Sequence, residues 1–133
     1  MSDFGKLLTA VITPFDNNGV LNTDTLWRIC KKLVHEKSDG LVLSGTTGES
    51  PNLTKEDRKI IYSTAKDSVG GKAKIIAGTG TYSTKESIEY TKMANDIGVD
   101  GIMIVTPYYS KPSQFGILKH FEEVSNNTDL PIM

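Results

Sequence analysis

The sequence predicts an α/β fold, the N-terminal half of a (β/α)8 TIM barrel with four βα units and the start of a fifth strand. Short apolar runs alternate with helical segments along all 133 residues. The runs are continuously apolar, as in parallel strands that are buried on both faces. They begin near residues 7, 41, 73, 102 and 130, and this spacing is that of a βα unit.

The first two units contain two predicted strands and two predicted helices. Leu7–Ile12 and Leu41–Leu43 are short, β-prone apolar runs. Asn22–Lys37 has apolar residues at helical spacing after polar residues suited to N-capping. The next helix opens at Thr54 with a capping sequence and ends at Gly70. The side chains expected on the inner faces of these helices are Leu26, Ile29, Cys30, Leu33, Val34, Ile60, Ile61, Thr64 and Ala65.

The later units repeat the pattern. Ala73–Ala77 and Ile102–Val105 are predicted strands, and Leu130–Met133 is the start of a fifth. Ser83–Glu86 has the sequence of a capping box for the third helix, and Ser113–Asn126 is the fourth helix. The expected inner faces of these two helices carry Met93, Ala94, Ile97, Ile117, Leu118, Phe121 and Val124.

Two architectures contain four such units: a small doubly wound sheet and half of a (β/α)8 barrel. A complete barrel needs about 250 residues, so this chain could supply about half of one. A domain rarely ends within an apolar strand, because the last strand then exposes an unpaired edge. We therefore favour the half-barrel and expect residues 1–133 to be one partial barrel domain, truncated at its C-terminal end.

The composition is that of a globular protein, with 38% hydrophobic residues, 23% charged residues and a formal net charge of −1. This balance argues against nucleic acid or a membrane surface as a partner. No run approaches the roughly 18 apolar residues of a membrane span, and the first run is too short for a signal peptide, so we expect a cytoplasmic location. The single cysteine, Cys30, is expected to be buried and inert, and we expect no metal site.

Two loops that follow predicted strands carry candidate chemistry, because ligands of parallel α/β folds bind at the carboxyl ends of strands. In Gly45–Pro51, Thr46 and Thr47 offer hydroxyl and backbone N–H donors to a small carboxylate or phosphate. A glycine-rich turn with solvated threonines explains this segment equally well. In the second loop, Tyr108 and Tyr109 lie between prolines and could relay protons, although packing at a subunit interface is the more frequent role.

These loops closely resemble those of the dihydrodipicolinate synthase/N-acetylneuraminate lyase family of class I aldolases. Gly45–Pro51 is similar to the family's threonine-pair loop, and Thr106–Gln114 is similar to the synthase form of its strand-four loop. Val11–Phe15 matches the family's first strand. The lyase branch differs around the tyrosine pair, so the resemblance favours the synthase branch.

The resemblance implies that pyruvate forms a Schiff base with a lysine and condenses with aspartate semialdehyde, without a cofactor. The product would be 4-hydroxy-tetrahydrodipicolinate, on the route to lysine. Thr47 would hold the pyruvate carboxylate, and Thr46 would pass protons in a hydroxyl relay. Tyr109 would extend this relay into a neighbouring subunit of a homotetramer, a dimer of dimers.

The family's Schiff-base lysine and its second catalytic tyrosine would both lie beyond Met133. A substitute lysine would need a desolvated position near the carboxyl end of a strand, where its pKa is lowered. Lys72 and Lys74 precede or begin a strand, Lys111 lies in the tyrosine loop, and most of the others are on helices. We therefore expect these 133 residues alone to be inactive.

Family members that lysine inhibits have a polar cluster near the dimer interface. Here Glu86 could bind an α-ammonium group, whereas Lys55 would put a positive charge where the inhibitor has to lie, so we expect weak or no inhibition. The positions that match this possible regulatory site are Ser50, Lys55, Arg58, Tyr82, Glu86 and Tyr108.

Two other functions stay open. Another pyruvate-dependent aldolase of the superfamily, such as a sugar-acid aldolase or an N-acetylneuraminate lyase, would differ mainly beyond residue 133. A non-catalytic half-barrel could instead bind a small anion, or pair with a second copy to cover its open edges.

Overall fold

The computed structural model describes residues 4–133, which form four βα units in chain order. A single-turn 3-10 helix, Ser50–Asn52, precedes the second α-helix. The elements are β1 (Leu8–Ala10), α1 (Thr23–His35), β2 (Gly40–Leu43), α2 (Lys55–Val69), β3 (Lys74–Gly78), α3 (Thr84–Ile97), β4 (Gly101–Met103) and α4 (Gln114–Ser125).

The strands form one parallel sheet in the order β1-β2-β3-β4. Leu41 in β2 lies opposite Thr9 on one side and Ile75 on the other. A fifth strand begins beside β4, as predicted: Ile132 forms a parallel bridge with Ile102, whose carbonyl accepts a 2.9 Å hydrogen bond from the Met133 N–H. Each strand therefore lies next to its successor, which is the order of a barrel, whereas a doubly wound sheet reverses its order at a switch point.

Polar caps and glycines set the helix ends. The Asn22, Thr54 and Ser83 side chains each accept a backbone N–H at the start of α1, α2 and α3. At α2 the capping box is complete, because the Asp57 carboxylate accepts the Thr54 N–H at 3.0 Å. At α3 only the serine half of the predicted box forms. Gly98 ends α3 in the left-handed conformation, with φ +79°, which glycine adopts without strain.

The core lies between the sheet and the four helices. Leu41, Ile75 and Ile102 from neighbouring strands are at most 1% exposed, and Leu26 of α1 is fully buried. Cys30 is buried beside them, as expected, and burial raises the pKa of its thiol to about 11. Within residues 4–133, no helix is both long enough and apolar enough to cross a lipid bilayer.

Two of the predicted inner-face residues lie on the outside. Ile60 of α2 is 43% exposed and Leu118 of α4 is 53% exposed. Successive helical residues point about 100° apart, so only part of a wide apolar stripe can face the sheet. In α2, Ile61 faces the core and its neighbour Tyr62 is fully buried as well. In α4, the buried residues are Val124, as predicted, and His120, which the predicted inner face did not include.

Candidate functional site

A cavity of about 310 Å³ opens at the carboxyl ends of β2, β3 and β4. Both loops that the sequence pointed to reach this cavity, as the common direction of parallel strands requires. Among the residues that line it are Ser44, Gly45, Thr46, Ser50, Gly78 and Tyr108.

The threonine turn, residues 44–50, follows β2 and is closed by its own backbone. The N–H groups of Gly48 and Ser50 both donate to the Gly45 carbonyl, at 3.1 and 3.2 Å. Ser44 and Glu49 have φ angles of +53° and +56°, a conformation that costs a non-glycine residue about 1–3 kcal/mol. Contacts from other elements must therefore hold the turn in this shape.

One such contact comes from the segment after β1. Thr13 is 6% exposed, and its hydroxyl donates a 2.7 Å hydrogen bond to the Gly48 carbonyl. Gly48 itself has little room, since a Cβ atom there would lie 3.1 Å from the Val11 carbonyl oxygen. Sequence reasoning treated Thr13 only as part of the first-strand motif. A hydroxyl residue just beyond the end of a strand was the signal that could have pointed to it.

The two threonines of the turn are both exposed, and Thr46 lines the cavity. Thr47 is next to it on the same turn but is not part of the cavity wall. Within residues 4–133 neither side-chain hydroxyl takes part in a hydrogen bond. Both hydroxyls are therefore available to a ligand.

The two tyrosines after β4 point to different places. Tyr108 is half-buried in the cavity wall, with its ring edge-on to Tyr82 at 5.6 Å between centroids. Burial raises the pKa of the Tyr108 phenol, and the nearby positive charge of Arg58 opposes this shift. Tyr109 is 95% exposed, does not line the cavity and has a φ angle of +66°. Its strained backbone thus presents the phenol away from the rest of the chain.

Arg58 connects α2 to the end of β3 and to the threonine turn after β2. It is 2% exposed, and its guanidinium lies over the Tyr90 ring, 4.6 Å from the centroid. One terminal nitrogen, Nη1, donates to the Gly78 carbonyl at 2.8 Å, and the other, Nη2, donates to the carbonyl and hydroxyl oxygens of Ser50 at 2.7 and 2.8 Å. The Tyr62 hydroxyl donates to the same Gly78 carbonyl at 2.9 Å.

The structure brings together most of the possible regulatory positions. Arg58 binds Ser50, and the charges of Arg58 and Glu86 both act on the pKa of Tyr108, which packs against Tyr82. Lys55 lies apart from them. Its ammonium group is 3.8 Å from the Glu89 carboxylate on α3, and it lines a separate surface groove.

No lysine within residues 4–133 lines the cavity. Lys74 is at the opposite end of β3, where it forms a 2.8 Å ion pair with Asp100. The two histidines are also distant from the chemistry: His35 is exposed, and His120 is buried with its Nδ1 2.9 Å from the Thr84 hydroxyl. The described residues contain no group of three His, Cys, Asp or Glu side chains that could hold a metal ion.

Comparison with known proteins agrees with this arrangement over nearly the whole chain. The model of the dihydrodipicolinate synthetase family matches residues 3–133. This chain belongs to that family. A 4-hydroxy-tetrahydrodipicolinate synthase from Desulforudis audaxviator is 51% identical over 131 residues, which are 98% of this chain and 45% of the relative. The chain thus spans about half the length of the curated relatives it matches.

Two solved structures of synthases superpose closely on the chain. A dihydrodipicolinate synthase from Bacillus anthracis has a TM-score of 0.96 at 42% identity, covering 100% of this chain and 46% of its own. The synthase from Cyanidioschyzon merolae, solved with lysine bound, has a TM-score of 0.95 at 41% identity, covering 98% of this chain and 45% of its own. These neighbours in the family are TIM barrels, so the prediction of the N-terminal half of a (β/α)8 barrel is confirmed.

Proposed function

We propose that the full-length protein in which these residues occur condenses pyruvate with aspartate semialdehyde to 4-hydroxy-tetrahydrodipicolinate. The observation that carries the proposal is the meeting of the threonine turn and the tyrosine loop at the carboxyl ends of the strands. The 51% identity to a protein of that activity supports the choice of substrates. The residues present here need no cofactor for the roles below, and the reaction belongs to a cytoplasmic enzyme of lysine biosynthesis.

We propose a role for three side chains of the threonine turn and the tyrosine loop. Thr47 holds the pyruvate carboxylate through its hydroxyl, and Thr46, in the cavity wall, passes protons to and from the reacting centre. Tyr109 extends this relay in the active site of a neighbouring subunit. Its 95% exposure and its left-handed backbone support that role, because strain of this kind collects at functional sites. The Schiff-base lysine belongs to the remainder of the barrel domain, of which residues 1–133 are one part.

Trapping with borohydride tests the Schiff base with pyruvate on which the proposal depends. We expect the full-length protein, incubated with pyruvate and borohydride, to gain the mass of one reduced pyruvate adduct on a lysine. Replacing Thr47 with valine removes the hydroxyl at nearly constant volume, so a higher pyruvate concentration should be needed for half-maximal trapping. Ser68→Ala, near the C-terminal end of α2 and away from the turn, is the control. Absence of any adduct in the unsubstituted full-length protein would refute the proposal.

The cluster of Ser50, Arg58, Tyr82, Glu86 and Tyr108 is proposed as the regulatory site. The ammonium group of Lys55 pairs with Glu89 outside this cluster, so the positive charge of Lys55 is not a reason to expect that a cationic inhibitor is excluded. Arg58 provides the reason to expect exclusion instead, because its buried positive charge lies inside the cluster and would repel an ammonium group. We therefore still expect weak inhibition by lysine. Titration of the activity with lysine measures this, and strong inhibition at micromolar lysine would contradict it.

A further inference from the structure

We infer that Arg58 and Tyr62 are positioning residues that hold the threonine turn in its strained conformation and so keep Thr46 and Thr47 in place. Both side chains belong to α2 and are almost wholly inaccessible to solvent, at 2% and 0% exposure. The kinetic consequence of this inference rests on the proposed function, whereas its structural consequence does not.

The surroundings of Arg58 indicate that this side chain acts through the geometry of its hydrogen bonds and not by neutralising a nearby carboxylate. A buried cation is normally paired with a carboxylate, because desolvation of an isolated charge is costly. No carboxylate within residues 4–133 forms an ion pair with Arg58. Its terminal nitrogens instead donate to uncharged oxygens of Ser50 and Gly78. The planar fork of a guanidinium can join two such groups in a fixed geometry, which an ammonium group cannot.

Arg58 joins the end of β3 to the end of the threonine turn that follows β2. Gly78 is the last residue of β3, and Ser50 is the exit from the turn after β2. The Gly78 carbonyl accepts a second hydrogen bond, from the Tyr62 hydroxyl at 2.9 Å. Gly78 also touches the other end of the turn, since a Cβ atom there would lie 2.4 Å from the Ser44 carbonyl oxygen. Holding Gly78 and Ser50 therefore constrains both ends of the threonine turn.

The turn needs such a constraint because it is strained at both ends. Ser44 and Glu49 are held at positive φ, and Glu49 directly precedes Ser50. If the bonds from Arg58 to Ser50 are lost, Glu49 is free to relax towards negative φ. The backbone bonds that close the turn would then open more often, and Thr46 and Thr47 would move relative to the cavity.

Amide hydrogen exchange of the full-length protein tests the structural consequence. We compare Arg58→Lys, which keeps the charge but loses the fork, and Tyr62→Phe, which loses only the hydroxyl. Ser68→Ala is the matched control, because Ser68 is also buried on α2 and also donates to a backbone carbonyl, that of Ala65 at 2.7 Å. We expect the amides of residues 48–50 to exchange roughly tenfold faster in Arg58→Lys, the effect of losing a hydrogen bond from a charged donor, and to be unchanged in Ser68→Ala.

Kinetics separate positioning from general stabilisation. With activity normalised to the trapped pyruvate adduct, we expect Arg58→Lys to raise the KM for pyruvate about tenfold or more, and Tyr62→Phe to raise it less. Unchanged exchange at residues 48–50 in both variants overturns the inference, as does equal acceleration in Ser68→Ala. If Arg58→Lys does not fold, Tyr62→Phe decides alone. If the unsubstituted protein forms no adduct, the proposed function fails, while the exchange result still decides the positioning role.

Discussion

Individual hydroxyl and carbonyl groups at the strand ends determine the shape of the candidate site. Thr13 and Arg58 reach the threonine turn from opposite elements, the segment after β1 and helix α2. Thr13 gives the buried Gly48 carbonyl its hydrogen-bond donor, and Arg58 adds a second donor to the carbonyls of Ser50 and Gly78. The two threonines of the turn make no such bonds themselves within the described residues, so their placement depends on these neighbours.

Thr13 offers a test of this dependence. Thr13→Val keeps the volume but leaves the buried Gly48 carbonyl without its donor, and we expect it to lower the free energy of unfolding by about 1–3 kcal/mol. It should also raise the KM for pyruvate. Thr13→Ser keeps the hydroxyl and loses only a methyl group, a cost of about 1 kcal/mol. Urea denaturation and pyruvate kinetics of the full-length protein measure both effects. Equal KM values for the two variants would show that the hydrogen bond does not position the turn.

Residue patterns pointed to the two loops and the family resemblance to Thr46, Thr47 and Tyr109, but neither pointed to the side chains that hold the threonine turn. An arginine within a polar helical segment is usually solvated, so Arg58 was not predicted to be buried. Arg58 does lie on the same helical face as Ile61, Tyr62 and Ala65, because these residues follow it by three, four and seven positions. That spacing can be read from the sequence. The pattern could show which face Arg58 shares, but not that the carbonyls of Gly78 and Ser50 would meet it there.

At the scale of secondary-structure elements, the helix starts follow from residues close together in the chain. The helix starts coincide with Asn22, Thr54 and Ser83, because a side-chain oxygen there satisfies backbone N–H groups that have no partner in the helix. Two of the strands, β1 and β4, are shorter than the apolar runs that predicted them, whereas β2 is one residue longer and β3 has the predicted length. Ile12 and Val105, at 53% and 47% exposure, have left the sheet and begin the loops at its carboxyl edge. Hydrophobicity alone cannot locate the residue at which a strand stops pairing, since that depends on its neighbours.

At the scale of the whole molecule, the parallel sheet has open edges. Within the described residues β1 pairs only with β2, and β4 pairs with β3 and with the short start of the fifth strand. Several large apolar side chains of α4 and the loop before it are exposed, among them Tyr109 at 95% and Phe115 at 68%. Such surfaces commonly mark places where other protein packs. The chain corresponds to about half the length of its relatives, which agrees with these open faces.

At this scale we predict the behaviour of the 133 residues expressed alone. Without a lysine in the cavity wall, the polypeptide should form no borohydride-stable pyruvate adduct, as mass spectrometry can establish. Its open sheet edges and exposed apolar side chains should cause self-association, measurable by light scattering during gel filtration. A covalent adduct on any lysine of the chain would refute the first expectation. A monodisperse monomer with a cooperative unfolding transition would refute the second.

The sequence by itself determined the alternation of strands and helices, the helix ends and the two loops that carry the candidate chemistry, because spacing, capping and turn formation act between residues close in the chain. Only the tertiary structure decided which side chains meet at the strand ends. It placed Thr13, Arg58 and Tyr62 around a strained turn and removed Lys55 from the cluster it had been assigned to. Those contacts join residues far apart in the chain, and their geometry follows from the packing of helices on the sheet.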